Sequence, residues 1–166
     1  VKRVVCPGSF DPITFGHLDI IERASRIFDE VVIAVMVNKT KTTLFTVAER
    51  MEMIQEVTAD FPGVIVDSWS GLLVDYCEQN NIPIIVKGLR AVTDFDYELQ
   101  MSQINLQLKK IETVFISTAP AHSFLSSSLV KEIAIYDGDV SNYMPAVLVG
   151  RLQSRLKEIS APNGGK

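Results

Sequence analysis

The chain has 166 residues, 47% apolar and 22% charged, with a formal net charge of −4. These values fit one globular domain with one core and exclude a disordered chain. The acidic balance argues against a bulk nucleic-acid binder, which needs a basic face, and no apolar run reaches the length of a membrane span.

Strand-like and helix-like runs alternate from the start. Lys2–Cys6 reads as a first strand, followed by the turn Pro7-Gly8-Ser9-Phe10-Asp11-Pro12. Gly16–Phe28 then reads as a helix with Ile20, Ile21, Ala24, Ile27 and Phe28 on one face. Val31–Val37 is nearly all apolar and β-branched, as in a strand covered on both sides. Asn38–Thr43 is a polar, cationic loop, and Thr46 with Glu49 forms a capping-box pattern before a helix to about Thr58.

Pro62-Gly63 turns the chain into a third strand, Val64–Asp67, and Leu72–Asn80 reads as a short helix. Ile82–Val86 is the fourth predicted strand, with Lys87-Gly88-Leu89-Arg90 placed in the loop after it. Thr93, Asp94 and Asp96 open a long helix to about Leu108. That helix is apolar on more than one side, which fits either deep burial or a face shared with a neighbouring subunit. Thr113–Ser117 is a fifth strand, Ser126–Ser128 start a helix through Ile135, and Pro145 suits the first turn of a last helix to about Ile159. The alternation implies an α/β, Rossmann-like, doubly wound sheet of five parallel strands with helices on both faces.

Ligands of such sheets bind outside the carboxyl ends of the strands. Four polar clusters follow strand ends here: Ser9 to His17, Lys39 with Lys41, Lys87 with Arg90, and Ser126–Ser128 with Lys131. Their expected convergence on one mouth weighs more than any single motif. A glycine and a histidine at a helix start favour an anion, and a serine-rich helix start with a lysine one turn in makes a second phosphate cradle. Cys6 and Cys77 stand in apolar contexts without metal or redox spacing, so they are expected as buried free thiols. Free thiols fit an expected reducing, cytoplasmic setting, and no secretory or transit segment is seen at the start.

Two negatives narrow the chemistry. The chain lacks a dinucleotide fingerprint and a P-loop, and it has no nucleophile–base–acid set; His122 is its only other histidine. Transfer onto a phosphate monoester tolerates this, because its second pKa of ~6 leaves the nucleophile ionised at neutral pH. The remaining barrier is the meeting of two anions, which His, Lys, Arg and helix N-termini lower.

Three motifs together resemble the bacterial phosphopantetheine adenylyltransferases of the nucleotidyltransferase superfamily. They are Pro7-Gly8-Ser9-Phe10-Asp11-Pro12 through Thr14-Phe15-Gly16-His17; Lys87-Gly88-Leu89-Arg90 with Asp94-Phe95-Asp96-Tyr97-Glu98; and Ser126-Ser127-Ser128-Leu129-Val130-Lys131-Glu132. The resemblance runs from about Lys2 to Leu156. It implies one nucleotidyltransferase domain over residues 1–159, with 160–166 as a flexible tail. It also implies AMP transfer from ATP to 4′-phosphopantetheine, Mg²⁺ arriving with ATP, and a homohexamer; the sequence itself shows no evident metal ligands, so the ion is expected to be held mostly by ATP and water.

By the same resemblance the catalytic residues are His17, Lys41 and Arg90. ATP falls to Ser9, Phe10, His17, Gly88, Leu89, Arg90, Glu98, Ser123, Phe124, Leu125, Ser126, Ser127, Ser128 and Leu129. Phosphopantetheine falls to Ser9, Lys41, Leu73, Lys87 and Asn105. The chain departs from many relatives in having Ser9 for threonine and Lys87 for arginine. The second change replaces a bidentate fork with a point charge. Thr14 stands where wider superfamily members have histidine, which leaves more of the burden on His17 and Lys41. Two rivals share the first motif: a transferase with another acceptor, such as nicotinamide mononucleotide, and a nucleotide-sensing module without turnover.

Overall fold

The computed structural model describes residues 2–161. Within them β1 (Arg3–Gly8), α1 (Phe15–Ile27), β2 (Glu30–Met36), α2 (Val47–Val57), β3 (Val64–Trp69) and α3 (Leu73–Gln79) form the first half. The second half is β4 (Ile84–Leu89), α4 (Val92–Lys109), β5 (Glu112–Ser117), α5 (Ser127–Ile135) and α6 (Ala146–Ser160). A 3₁₀ turn at Pro120–His122 was not expected from the sequence. Of the expected tail, residues 162–166 lie outside the described residues.

The strands are parallel in the order β3-β2-β1-β4-β5. Successive side chains of a strand face opposite sides, and β2 fills both. Ile33 and Val35 join the cluster built with α2, α5 and α6, and Val31 packs against α1 through Ala24. Val32 and Ala34 meet Val74 and Cys77 of α3 on the other side. Burying each such Val or Ile contributes roughly 1.5–3 kcal/mol, which makes β2 a two-sided anchor. The α/β doubly wound architecture is the one the alternation implied.

Several boundaries moved for identifiable reasons. Lys87, Gly88 and Leu89 belong to β4 itself, since they pair with Phe115, Ile116 and Ser117 of β5. The long helix α4 starts after Ala91, which gives no side-chain cap, and Asp94 in its first turn pairs with Arg90 instead. Deep burial of α4 is overturned: none of its residues is buried, and Tyr97 is 65% exposed. Ile27, expected on the buried face of α1, lies 63% exposed as the last residue of the helix, just before the chain turns into β2. Cys6 and Cys77 are buried free thiols, and burial pushes them up to about 12 and about 11.

One feature of the sheet creates room for a ligand. β1 pairs with β2 from Arg3↔Glu30 to Gly8↔Val35, but with β4 only at Val4↔Ile84 and Val5↔Ile85. Beyond those residues β1 and β4 part, at the point where the strand order reverses. Crevices of doubly wound sheets open at such switch points.

Candidate active site

A cavity of about 310 Å³ fills the parting. Cys6 and Pro7 of β1 and Val86, Lys87 and Gly88 of β4 form opposite walls. Phe10 and Thr14 come from the β1–α1 turn, Gly16 and His17 from the first turn of α1, Arg90 and Glu98 from the β4–α4 region, and Thr118, Leu125, Ser126 and Ser127 from the segment that runs from β5 to the start of α5. Gly88 is required by close approach: a Cβ there would lie 2.9 Å from Ile20 Cγ1.

Helix α1 starts at a capping box in which histidine replaces the usual Glu or Gln. The Thr14 hydroxyl accepts from the His17 backbone N–H at 3.4 Å, and the Thr14 backbone N–H donates to His17 Nδ1 at 3.0 Å. A ring nitrogen that accepts carries no proton, so the proton of the neutral ring sits on Nε2. The Phe10 ring packs edge-on to the imidazole with centroids 5.0 Å apart. His17 is therefore fixed in position and tautomer, with Nε2–H as the nitrogen left for a ligand.

Burial and then the Arg90 charge lower the His17 pKa from 6.5 to about 4. The ring is thus a neutral donor at physiological pH, not a cation or a proton source. Because the folded value lies below the ordinary one, the stability tied to this group is complete above pH 6.5 and falls as pH drops from 6.5 toward 4. An NMR titration of the two histidine rings should give His17 a midpoint near 4; a midpoint near 6.5 would contradict the buried neutral ring.

The cations around the cavity are held by partners of their own. Arg90 donates from one guanidinium nitrogen to the Leu125 carbonyl at 2.8 Å and from Nε to Asp94 at 3.3 Å. It therefore ties β4 to the segment after β5. Lys87 Nζ meets Glu98 Oε1 at 3.3 Å, and this pair also lines a second cavity of about 180 Å³ between β4, α3 and α4. Leu73 and Asn105, both expected on the acceptor side, line that second cavity.

The serine turn differs from the expected open cradle. Ser126 caps α5 by accepting from the Leu129 N–H at 3.1 Å, and Ser127 donates to the Pro12 carbonyl at 2.7 Å. Lys131 pairs with buried Asp11 at 3.1 Å, so it is engaged with the protein and not presented to a phosphate. The Ser123 hydroxyl donates back to Pro120, and Phe124 is exposed against Tyr143.

Three of the four clusters thus converge. Phe10, His17, Lys87, Gly88, Arg90, Glu98, Leu125, Ser126 and Ser127 line the main cavity, whereas Ser9, Leu89, Ser123, Phe124, Ser128 and Leu129 flank it in sequence without lining it. Lys39 and Lys41 do not join the wall; both are exposed in the loop after β2. Sequence reasoning missed Thr118 and Cys6 as wall residues. It also missed Asp11, although an Asp-Pro pair in a turn was a signal for a side-chain-bonded turn.

A family profile described as cytidylyltransferase-like matches residues 5–133. A phosphopantetheine adenylyltransferase from Frankia casuarinae is 60% identical over 162 residues, covering 95% of this chain and all of that protein. One from Streptomyces coelicolor is 58% identical over 157 residues, covering 95% and 99%. In fold, the chain is similar to the crystal structure of a putative nicotinate-nucleotide adenylyltransferase from Vibrio parahaemolyticus, with a TM-score of 0.64, 15% identity, and coverage of 92% of this chain and 99% of that one. With the switch-point cavity and its histidine-capped helix in place, these matches mean that the chain belongs to the cytidylyltransferase-like family and, within it, to the phosphopantetheine adenylyltransferases.

Proposed function

We propose that AMP passes from ATP to 4′-phosphopantetheine in the cavity between β1 and β4, leaving dephospho-CoA and pyrophosphate. An oxygen of the acceptor's phosphate monoester attacks the α-phosphorus of ATP. The bond from that phosphorus to the β-bridging oxygen breaks, and pyrophosphate departs with the electron pair. With a second pKa of ~6 the monoester is mostly dianionic at neutral pH, so no side chain has to remove a proton. The protein's work is to hold two anions in line and to neutralise charge as it builds.

The observation that carries this reading is the Lys87–Glu98 pair, which lines both cavities. One cavity has the histidine-capped helix and Arg90, suited to nucleotide phosphates. The other has a largely apolar lining with Leu73 and Asn105, suited to a long, thinly polar acceptor arm. Lys87 stands between them, where the acceptor phosphate and the α-phosphate would meet. In this reading His17 and Arg90 face the phosphates of ATP. Ser9, Phe10, Gly88, Leu89, Glu98 and the segment from Ser123 to Leu129 shape the nucleotide side. Leu73, Lys87, Asn105 and Ser9 hold the acceptor, and Lys41 reaches its phosphate by an inward movement of its loop.

Mg²⁺ fits as a companion of ATP. Among the described residues no three His, Cys, Asp or Glu side chains group closely enough to cage a metal. The carboxylates of Glu98, Asp94 and Asp11 are each paired with a cation. The ion would then be held by phosphate oxygens and water, and it would supply further neutralisation of phosphate charge. The exposed apolar residues of α4, with Tyr97, Ile104 and Leu108 each more than two-fifths exposed, support a face shared between subunits, and the resemblance makes the assembly a homohexamer. Sedimentation should then give six times the 18.4 kDa chain mass. No helix among the described residues is long and apolar enough to cross a membrane, which is compatible with a cytoplasmic enzyme.

The deciding assay offers ATP with a panel of phosphorylated acceptors and follows pyrophosphate. Release dependent on phosphopantetheine is the expected result; release only with nicotinamide mononucleotide, or ATP binding with no release, would replace this reading with one of its rivals. Lys41→Ala should raise the KM for phosphopantetheine about tenfold or more, the worth of one charge-assisted hydrogen bond, with a smaller change for ATP. Equal changes in both would remove Lys41 from the acceptor side.

A further inference from the structure

The loop from β2 to α2 has two unlike halves. From Asn38 to Thr42 it is exposed and bonded only to itself, through Thr40 N–H to Asn38 Oδ1 at 2.9 Å and Lys41 N–H to the Asn38 carbonyl at 3.2 Å. At Leu44 and Phe45 it is pinned from both sides. Asp11 accepts the Leu44 N–H at 2.8 Å on one carboxylate oxygen and the Phe45 N–H at 2.9 Å on the other. Opposite, the Leu44 carbonyl accepts from Arg155 of α6 at 2.9 Å.

Asp11 belongs to the turn that ends in the Thr14–His17 capping box, and it is only 4% exposed. Burying a carboxylate costs several kcal/mol unless charge and hydrogen bonds offset it. Here two backbone N–H groups and Lys131 do so. Arg50, also buried, donates to the Phe45 carbonyl at 3.2 Å and to the Ser9 carbonyl at 2.7 Å. The same two segments, the His17 turn and the loop end, are thus stitched together twice.

We propose that Asp11 is a positioning residue that couples the Lys41 loop to the His17 turn. With Leu44 fixed by Asp11 and Arg155, the three residues back to Lys41 span at most ~10 Å of extended chain. The lysine is confined near the catalytic turn, yet its own half of the loop stays free to move. This rests on the reading that Lys41 serves the acceptor phosphate. A clamp that served folding alone would lower stability and disturb both substrates alike.

The test uses Asp11→Asn, which keeps shape but loses charge and one acceptor, and Arg155→Gln, which leaves the cavity walls untouched. Tryptic cleavage after Lys39 and Lys41 should rise about tenfold in D11N, as loss of roughly 1.4 kcal/mol of local protection would give, and by less in R155Q. The KM for phosphopantetheine should rise about tenfold in D11N with that for ATP within about twofold. D11N should add little to the acceptor KM in a K41A background, because residues acting through one another are non-additive.

In the native protein the Leu44 and Phe45 amides should exchange hydrogen more slowly than those of residues 39–42. If D11N does not fold, R155Q and this exchange pattern decide. Unchanged loop cleavage in folded variants, amides exchanging as fast as the loop, equal rises in both KM values, or full additivity with K41A would each overturn the proposal. A K41A enzyme with an unchanged acceptor KM would fell the underlying reading and, with it, the catalytic half of the coupling. The cleavage and exchange results, which involve no acceptor, separate that failure from failure of the anchor.

Discussion

Alanine at position 17 should lower kcat by about 10²–10³-fold, the usual cost of removing one donor aimed at developing charge, while ATP affinity changes far less. The asymmetry follows from the ionisation state of the ring. With a pKa held at about 4, His17 is neutral and offers a single Nε2–H. A neutral donor gains little from a ground-state phosphate already neutralised by cationic side chains. It gains most when negative charge concentrates on the oxygens of the transition state, so the loss falls on kcat rather than on binding. The substitution also strips the Thr14 backbone N–H of its acceptor, so a fold defect must be told apart from a chemical one. His17→Gln does this, because glutamine at the third position of a helix completes a capping box. H17Q should restore thermal stability, and any turnover it regains over H17A measures what an amide N–H supplies in place of Nε2–H. Turnover near that of the parent in H17A would remove His17 from the chemistry.

The pH profile separates this role from acid–base catalysis. A histidine that gave or took a proton would print a limb near its own pKa on kcat. Here the limb expected near pH 6 belongs to the acceptor's monoester, whose second pKa is ~6. It should appear in kcat/KM and survive unchanged in H17Q.

How much of this was legible beforehand depended on whether a residue's neighbours in sequence were also its partners in space. Strand β2 was legible because only a strand covered on both faces uses so unbroken a β-branched run. The Thr46–Glu49 capping box was legible because both partners lie within one turn. The Thr14–His17 box has the same spacing, but histidine in place of Glu hid it, and with it the reason for the ring's tautomer. The end of β4 was misplaced because Lys87 and Gly88 look like loop residues; only pairing with Phe115 and Ile116 keeps them in the sheet.

Long-range partners were beyond reach. Lys131 reads as a phosphate ligand beside three serines, yet a carboxylate 120 residues away claims it. Lys41 follows a strand end, but distance along the chain does not say which way an exposed loop leans. The exposure of α4 was undecidable for another reason: an apolar stripe on several sides reads alike whether the core or another surface covers it.

Replacing Arg90 with alanine should raise the KM for ATP by about ten- to a hundredfold, and it should also move a group that it does not touch. Arg90 spans the gap between β4 and the segment after β5 by its bond to the Leu125 carbonyl, while Asp94 holds Nε from the first turn of α4. The guanidinium is therefore oriented before ATP arrives, which spares the ordering cost of a free arginine. Its charge also helps to keep His17 unprotonated. Alanine removes that charge, so the His17 midpoint should climb from about 4 toward 6.5. Arg90→Lys separates the two effects. Lysine keeps the charge but has no fork to serve Leu125, Asp94 and a phosphate together. In R90K the His17 midpoint should stay low while the KM for ATP still rises. A midpoint unmoved in R90A would mean that burial alone keeps the ring neutral. An ATP titration unmoved in both variants would mean that Arg90 braces the segment after β5 without meeting the nucleotide.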